Sequence, residues 1–279
     1  MELKLRCRVI TPMFMAGADG RTPELRPTEF KGMMRFWWRA IKAENNIEDL
    51  KKEEVGIFGG TGEKEGKSKV MIKIIPENIS FSSYRALPHS NTKTFTLRCI
   101  RTNSTFNVIL SARENTLLFK NVFLLSIILG GFGKRSRRGF GSIEIVEPKE
   151  LNFENLQKDK VLKKILEILN QVDNHYEIQN SKIISTKKGG SYPWIREIEI
   201  GKDESNWENL LIKIGKASHN HKDPSLGNAT PRMASPIYIS VIKIQNMYYP
   251  IVTTLNSSFP PNYKCNLQKQ IHFKREVLS

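Results

Sequence analysis

The order of periodicities in the first half of the chain limits the fold more than any other feature. Residues 2–11 alternate, with Leu3, Leu5, Cys7 and Val9 on one face and Lys4, Arg6 and Arg8 on the other, as a half-buried strand does. Thr11-Pro12 ends that strand, and residues 16–27 form a loop punctuated by glycine and proline. Thr28 is placed to N-cap a helix running to Ala43. Residues 70–75 read as a strand, and residues 94–112 as two strands, 95–101 and 105–112, joined by a Thr-Asn-Ser turn. Residues 116–129 read as a helix whose apolar run is too continuous for a surface helix, so it should be buried. A strand at 142–146 follows and Pro148 stops it. Strand, helix, strand, strand, helix, strand is the order of a ferredoxin-like α+β domain.

The second half is less regular. Residues 153–172 carry Leu156, Val161, Leu162, Ile165, Leu166 and Leu169 at helical spacing. Residues 195–200 read as a short strand, 207–215 as a helix, and the segment from Leu267 as a terminal helix. Residues 236–255 read as a hairpin, with Ile237, Ile239 and Val241 answered by Tyr249, Ile251 and Thr253 across a turn near Gln245-Asn246. The expectation is an α+β chain of two tandem ferredoxin-like (RRM-like) domains with long glycine-rich loops. The first would span residues 1–149 and the second, degenerate one residues 150–279.

Charge bears on partners. Lys and Arg number 44 against 28 Asp and Glu, a net +16, and the pI is near 9.7. Such an excess favours a polyanion, nucleic acid or an acidic membrane surface. The longest mostly apolar run, residues 122–129, falls far short of the ~20 residues of a spanning helix. The opening Met1-Glu2-Leu3-Lys4-Leu5-Arg6 alternates where a signal peptide needs a continuous apolar stretch. Three widely spaced cysteines, Cys7, Cys99 and Cys265, without a CxxC, argue against a disulfide framework or a zinc site. A cytoplasmic protein without metal or cofactor is expected. Cys7 and Cys99 fall on the apolar phase of their strands and should serve packing.

The helix 28–43 is the most informative stretch. At ~100° per residue, Phe30, Met34, Trp37 and Ile41 form one stripe, suited to packing on a sheet. Lys31, Arg35, Trp38 and Lys42 form a second stripe with Arg39 at its edge. The plain reading of that stripe is a solvated basic face. An indole among cations is also what stacking a base and holding its phosphates requires. On this reading Trp37 is buried and Trp38 accessible. The segment Gly130-Gly131-Phe132-Gly133-Lys134-Arg135-Ser136-Arg137-Arg138-Gly139-Phe140-Gly141 is a second candidate. Its glycines would let backbone N–H groups approach a phosphate while its cations supply charge. The alternative is a mobile basic hairpin.

Other chemistry is thinly supported. Residues 60–68 resemble a P-loop, but residue 61 is Thr61 where a glycine belongs, and a strand follows where a helix should. Gly139-Phe140-Gly141 is followed by Glu144 where a dinucleotide fingerprint needs glycine. His219, His221 and Asp223 could ligate a metal, although three such residues in a polar segment are usually only a loop. His89, His175 and His272 stand isolated, with no lysine paired to them in sequence for metal-free RNA cleavage.

Several motifs together resemble a known family. Ile10-Thr11-Pro12-Met13-Phe14, Gly17-Ala18-Asp19, Glu24-Leu25-Arg26-Pro27, Lys31-Gly32-Met33-Met34-Arg35-Phe36-Trp37-Trp38-Arg39 and Ile57-Phe58-Gly59-Gly60-Thr61 are similar, in order, to the N-terminal signature of the first RAMP subunit of the Cmr complex. That complex is the type III-B CRISPR effector, an RNA-guided assembly that cuts RNA in antiviral defence. Ser136-Arg137-Arg138-Gly139-Phe140-Gly141 resembles the glycine-rich loop of RAMP proteins. Arg232-Met233-Ala234-Ser235-Pro236 is similar to a motif in the C-terminal half of this subunit.

The resemblance implies two ferredoxin-like folds and a place at the end of the effector backbone, by the 3′ part of the guide RNA. It implies binding surface and not catalysis: the RAMP endonucleases use a histidine early in the chain, and none precedes His89 here. The candidate RNA-binding residues are Arg21, Arg26, Lys31, Arg35, Trp38, Arg39, Lys42, Lys134, Arg135, Ser136, Arg137, Arg138 and Arg232. The expected partners are single-stranded RNA (guide and target) and sister RAMP subunits, with no membrane. The rival reading is a metal-independent endoribonuclease that processes CRISPR precursor RNA.

Overall fold

A computed structural model describes residues 2–63, 65–89, 95–260 and 262–279. The first half contains β1 (Glu2–Val9), α1 (Pro27–Lys42), α2 (Ile47–Phe58), β2 (Val70–Asn78), β3 (Phe81–Arg85), β4 (Thr96–Ile100), β5 (Thr105–Ala112), α3 (Thr116–Leu129) and β6 (Ile143–Glu147). β1, β2, β5 and β6 make an antiparallel sheet in the order β2-β5-β1-β6, with α1 and α3 on one face. This is the ferredoxin-like arrangement that the order of periodicities predicts. Leu5, Cys7 and Val9 point into the core, and Lys4, Arg6 and Arg8 point out.

The second half contains α4 (Lys158–Asn170), β7 (Tyr176–Gln179), β8 (Lys182–Ser185), β9 (Ile195–Ile200), α5 (Trp207–Asn220), β10 (Ile237–Ile244), β11 (Met247–Leu255) and α6 (Leu267–Leu278). Its sheet runs β10-β11-β9-β8-β7. β9, α5, β10, β11 and α6 supply five of the six elements of a second ferredoxin-like unit. β8, which precedes them in the chain, takes the place of the missing last strand. The unit's degeneracy is therefore a permutation. α5 and α6 cover one face of this sheet, and α3 and α4 the other.

α3 thus lies between the two sheets, and residues 121–129 are all buried. That position explains an apolar run with no polar face. Its buried Asn121 donates from Nδ2 to Gln171 Oε1 at 2.9 Å, beyond the end of α4.

The glycine-rich segment binds the two halves together. Gly139 N donates to Ile239 O at 2.8 Å, and Val241 N donates to Ser142 Oγ at 2.9 Å, so the segment lies along the free edge of β10. On its other side Gly141 N donates to Pro12 O at 3.0 Å and Lys134 N to Phe14 O at 3.0 Å. Thr11 Oγ1 donates to Gly139 O at 2.6 Å. Gly141 has φ +68, and a Cβ there would lie 1.9 Å from Phe132 O, so no other residue fits. At the centre is Arg138. Its guanidinium donates to Ile237 O at 3.1 Å, Leu226 O at 3.0 Å, Arg137 O at 3.0 Å, Ser235 Oγ at 3.2 Å and Ser218 Oγ at 3.3 Å. It lies 5.0 Å over the Phe273 ring.

Several details differ from the sequence reading. Pro27 opens α1 and Arg26 is its N-cap position, without a side-chain cap. α2 was unforeseen and runs through Gly56. β4 pairs with β3, not with β5. That β3–β4 hairpin is an insertion whose Tyr84, Ala86, Leu97 and Cys99 pack against the core of the second unit. β7 and β8 were missed because they are short and largely polar. The β10–β11 hairpin has the expected Gln245-Asn246 turn, both residues at positive φ, as a two-residue hairpin turn requires. Its register pairs Ile237, Ile239 and Val241 with Thr254, Val252 and Pro250. Both faces of these strands are buried, so apolar alternation could not fix the register.

Replacing Arg138 with Leu should destabilise the protein by about 3 kcal/mol or more, because buried carbonyls lose their donors. Lys134→Ala, on the same segment but exposed, should leave stability nearly unchanged. Urea denaturation of the two variants checks this.

Candidate nucleic-acid interface

The expected RNA face on α1 is covered. Trp37 is buried as anticipated, but Trp38 is only 1% exposed. Its ring meets Phe58 of α2 edge-on, with centroids 6.2 Å apart. α2 lies along the basic stripe and neutralises it. Arg35 Nε is 2.7 Å from Glu54 Oε1, and Arg39 also bonds that oxygen. Lys42 Nζ is 3.1 Å from Glu53 and 3.8 Å from Asp173, and sits 5.8 Å over the Trp38 ring. The indole among cations is a helix–helix interface, and Trp38 is not accessible for stacking. Lys31, half-buried, has no carboxylate within ion-pair distance among the described residues. Burial and then Arg35 push its pKa down.

The cations of the glycine-rich segment divide. Arg138 is consumed by the backbone contacts above. Burial, then Arg135 and Arg137, push its pKa down to about 9, so it stays protonated at neutral pH. Arg137 bonds Ser235 O and lies 4.4 Å over Tyr238 and 5.7 Å over Phe36. Ser136 begins a 3-10 turn, Ser136–Arg138. Arg135 lies 5.9 Å over Phe140, and burial lowers its pKa. Lys134 alone is exposed, its Nζ 2.8 Å from Gly20 O. The segment as a phosphate cradle is thus corrected: its glycines permit close backbone packing, and Arg137 and Arg138 face inward.

The contact between Lys134 and Gly20 brings the loop 16–27 against the segment. Between them and β4 runs a groove of about 270 Å³, lined by Phe14, Ala16, Gly20, Arg21, Thr96, Leu97, Arg98 and Lys134. It presents three cations and no acidic residue. Asp19 shapes the loop by accepting from Arg21 N and Thr22 N, both at 2.9 Å, and from the Thr22 hydroxyl. These bonds, with Arg21, hold its pKa down at about 2. Arg26 is half-buried at the start of α1, and Arg232 is exposed in a separate turn, where Asn228 and Met233 form a bridge. Arg98 was missed by the sequence reading. The available signal was its place on the polar phase of a strand, which names no partner.

The open face of the first sheet offers no base-stacking platform. Its outward residues include Lys4, Arg6, Arg8, Met71, Lys73, Asn107 and Glu144, none aromatic. Arg6 is paired with Glu77 at 2.8 Å and Arg8 with Glu144 at 2.7 Å. The histidine candidates disperse. His221 Nε2 bonds Glu276 at 2.7 Å, while Asp223 accepts from Ser225 N at 2.8 Å. No group of three metal-ligating side chains occurs among the described residues. His89, isolated in sequence, lies beside His219, their ring centroids 5.3 Å apart. Lys64, within the P-loop-like stretch, lies outside the described residues; β2 follows that stretch. No described helix is long and apolar enough to cross a membrane.

Comparison with known proteins agrees with this architecture. The family model of the RAMP superfamily matches residues 6–147. The CRISPR system Cmr subunit Cmr1-2 of Pyrococcus furiosus is 33% identical over 178 residues, 51% of this chain and 94% of that protein. The crystal structure of apo Cmr1 from Pyrococcus furiosus superposes with a TM-score of 0.64 at 19% identity, covering 99% of this chain and 96% of that one. A chain from the Type III-B Cmr-beta assembly bound to cognate target RNA gives a TM-score of 0.63 at 14% identity, covering 98% and 99%.

Trp38→Ala should now behave like Trp37→Ala. Each should cost ~3–5 kcal/mol of stability. Parallel denaturant melts check this, and an unaltered midpoint for Trp38→Ala would contradict the buried interface.

Proposed function

We propose, from the premise that the chain belongs to the RAMP superfamily and within it to the Cmr1 family, that it is a non-catalytic RNA-binding subunit of a type III-B Cmr ribonucleoprotein. On this reading it works in the cytoplasm in antiviral RNA silencing. It holds single-stranded guide or target RNA beside sister RAMP subunits. Residues 1–149 and 150–279 are its two domains. The observation that carries the RNA assignment is the groove. Arg21, Arg98 and Lys134 come from three different segments and converge on a groove with no acidic residue in its lining, beside the apolar wall of Phe14 and Leu97. Exposed cations along an open groove suit a flexible polyanion, whose phosphates they contact irrespective of sequence.

Lys31, Arg26 and Arg232 retain a place in the proposal as peripheral contacts. Arg35, Arg39 and Lys42 are held by carboxylates of the same chain, which weakens their claim. The subunit contributes binding surface to an assembly in which other chains do the cutting.

The direct experiment titrates single-stranded RNA at several salt concentrations. Log affinity should fall linearly with log salt. Replacing Arg21, Arg98 and Lys134 together with Gln should reduce the slope by roughly 2, as loss of three single-strand phosphate contacts implies. Affinity should fall about equally for unrelated sequences. An unchanged slope would remove the groove from the interface. Incubation of labelled repeat RNA without divalent metal should leave it intact. Site-specific cleavage abolished by a single substitution in this chain would instead support the endoribonuclease reading.

A further inference from the structure

Arg135, beside Lys134 in the segment but not among the residues lining the groove, lies 5.9 Å over Phe140 and near enough to His89 to act on its charge. The His89 and His219 rings tilt at 36° to each other with centroids 5.3 Å apart. His89 feels both His219 and Arg135 as positive neighbours, and burial and these two charges lower its pKa. The His89 ring rests on α5 at Gly215, where a Cβ would lie 2.8 Å from Nδ1. Glycine is unfavourable in mid-helix against alanine, and this close approach gives Gly215 a structural reason. Nδ1 faces the helix backbone without a hydrogen-bond partner, and Arg135 Nε is also buried without one.

The surrounding charges do not neutralise the cluster. Glu208, at the start of α5, accepts from the Tyr84 hydroxyl at 2.8 Å. Glu276 is bonded to His221. Lys213 and Lys216 line a different groove with Glu204 and Glu276. Arg138, three residues further on, is held by the carbonyls of Ile237 and Leu226. His89, Arg135 and His219 thus bring three donor groups together from three segments, with no carboxylate paired to any of them among the described residues. With His89 Nδ1 turned to α5, the donors that remain for a tetrahedral oxyanion are His89 Nε2, the His219 ring and the terminal nitrogens of Arg135.

We infer that His89, Arg135 and His219 form a phosphate-binding seat, separate from the groove and joined to it through Lys134-Arg135. That its phosphate belongs to RNA rests on the function proposed above. The seat would then hold one phosphate of a strand that continues into the groove, either an internal phosphodiester or a terminal phosphate.

The test uses the full chain. Ring-proton NMR at fixed pH would follow the histidines while inorganic phosphate replaces chloride at constant ionic strength. The His89 and His219 resonances should move saturably with phosphate, and His89 should titrate at higher pH, because a bound anion favours the charged ring. His219→Gln, at an exposed position, and Arg135→Gln should each abolish the response. RNA oligomers with 5′-phosphate, 3′-phosphate and hydroxyl ends separate the two sources. Preference for one phosphorylated end that disappears in His219→Gln identifies a terminal phosphate. Equal binding of all three, weakened about equally in His219→Gln, identifies an internal one. Histidine resonances that respond to phosphate no more than to chloride overturn the seat, as does undiminished RNA binding by both variants. Either failure leaves the groove assignment standing if the salt slope still depends on Arg21, Arg98 and Lys134.

Discussion

A single buried guanidinium holds the architecture together. Arg138 enters the second unit and donates to carbonyls at Leu226 and Ile237, while the residues beside it bond to Thr11, Pro12 and Phe14 of the first. An arginine can do this because its five N–H groups reach several acceptors at once and it stays charged when buried. The cost of burial is offset by hydrogen bonds from all three guanidinium nitrogens and by the Phe273 face. Once this segment is fixed along β10, α3 is enclosed between two sheets, and the β3–β4 hairpin is brought against α5. The motif Ile10-Thr11-Pro12-Met13-Phe14 and the glycine-rich segment, far apart in sequence, are two sides of one joint.

That joint determines where positive charge is left free. A chain of net +16 still places many of its cations against its own carboxylates, and the α1 stripe is the clearest case: Glu53 and Glu54 of α2 lie over it. Free cations gather instead where the loop 16–27, the inserted hairpin and Lys134 meet. The same convergence sets Arg135 against the histidines. Net charge alone therefore points to a polyanion, but only the tertiary arrangement says which residues meet it.

The first ferredoxin-like unit was legible because its elements follow one another with clean periodicities, and the burial of α3 followed from its composition. Trp38 was misread for a definite reason. Helical phase fixes which residues share a face and says nothing of what covers that face. α2 combines charged residues with a glycine and carries only a weak apolar stripe, so the cover went unseen. The glycines of 130–141 were read as room for a phosphate; at Gly141 the close neighbour is Phe132 O of the same chain. Arg98 could not be found from sequence because its place comes from a hairpin inserted between β2 and β5 that packs against the core of the second unit. Likewise His89 and His219 are 130 positions apart in the chain and meet only through that hairpin.

Photo-crosslinking of thiouridine-substituted single-stranded RNA, with the attached peptides mapped by mass spectrometry, tests the central claim most directly. Crosslinks should fall on the groove walls, in the peptides containing Phe14, Arg21, Leu97 or Lys134. Crosslinks concentrated on α1 around Trp38, or on the open sheet face around Arg6 and Lys73, with none at the groove, would contradict it.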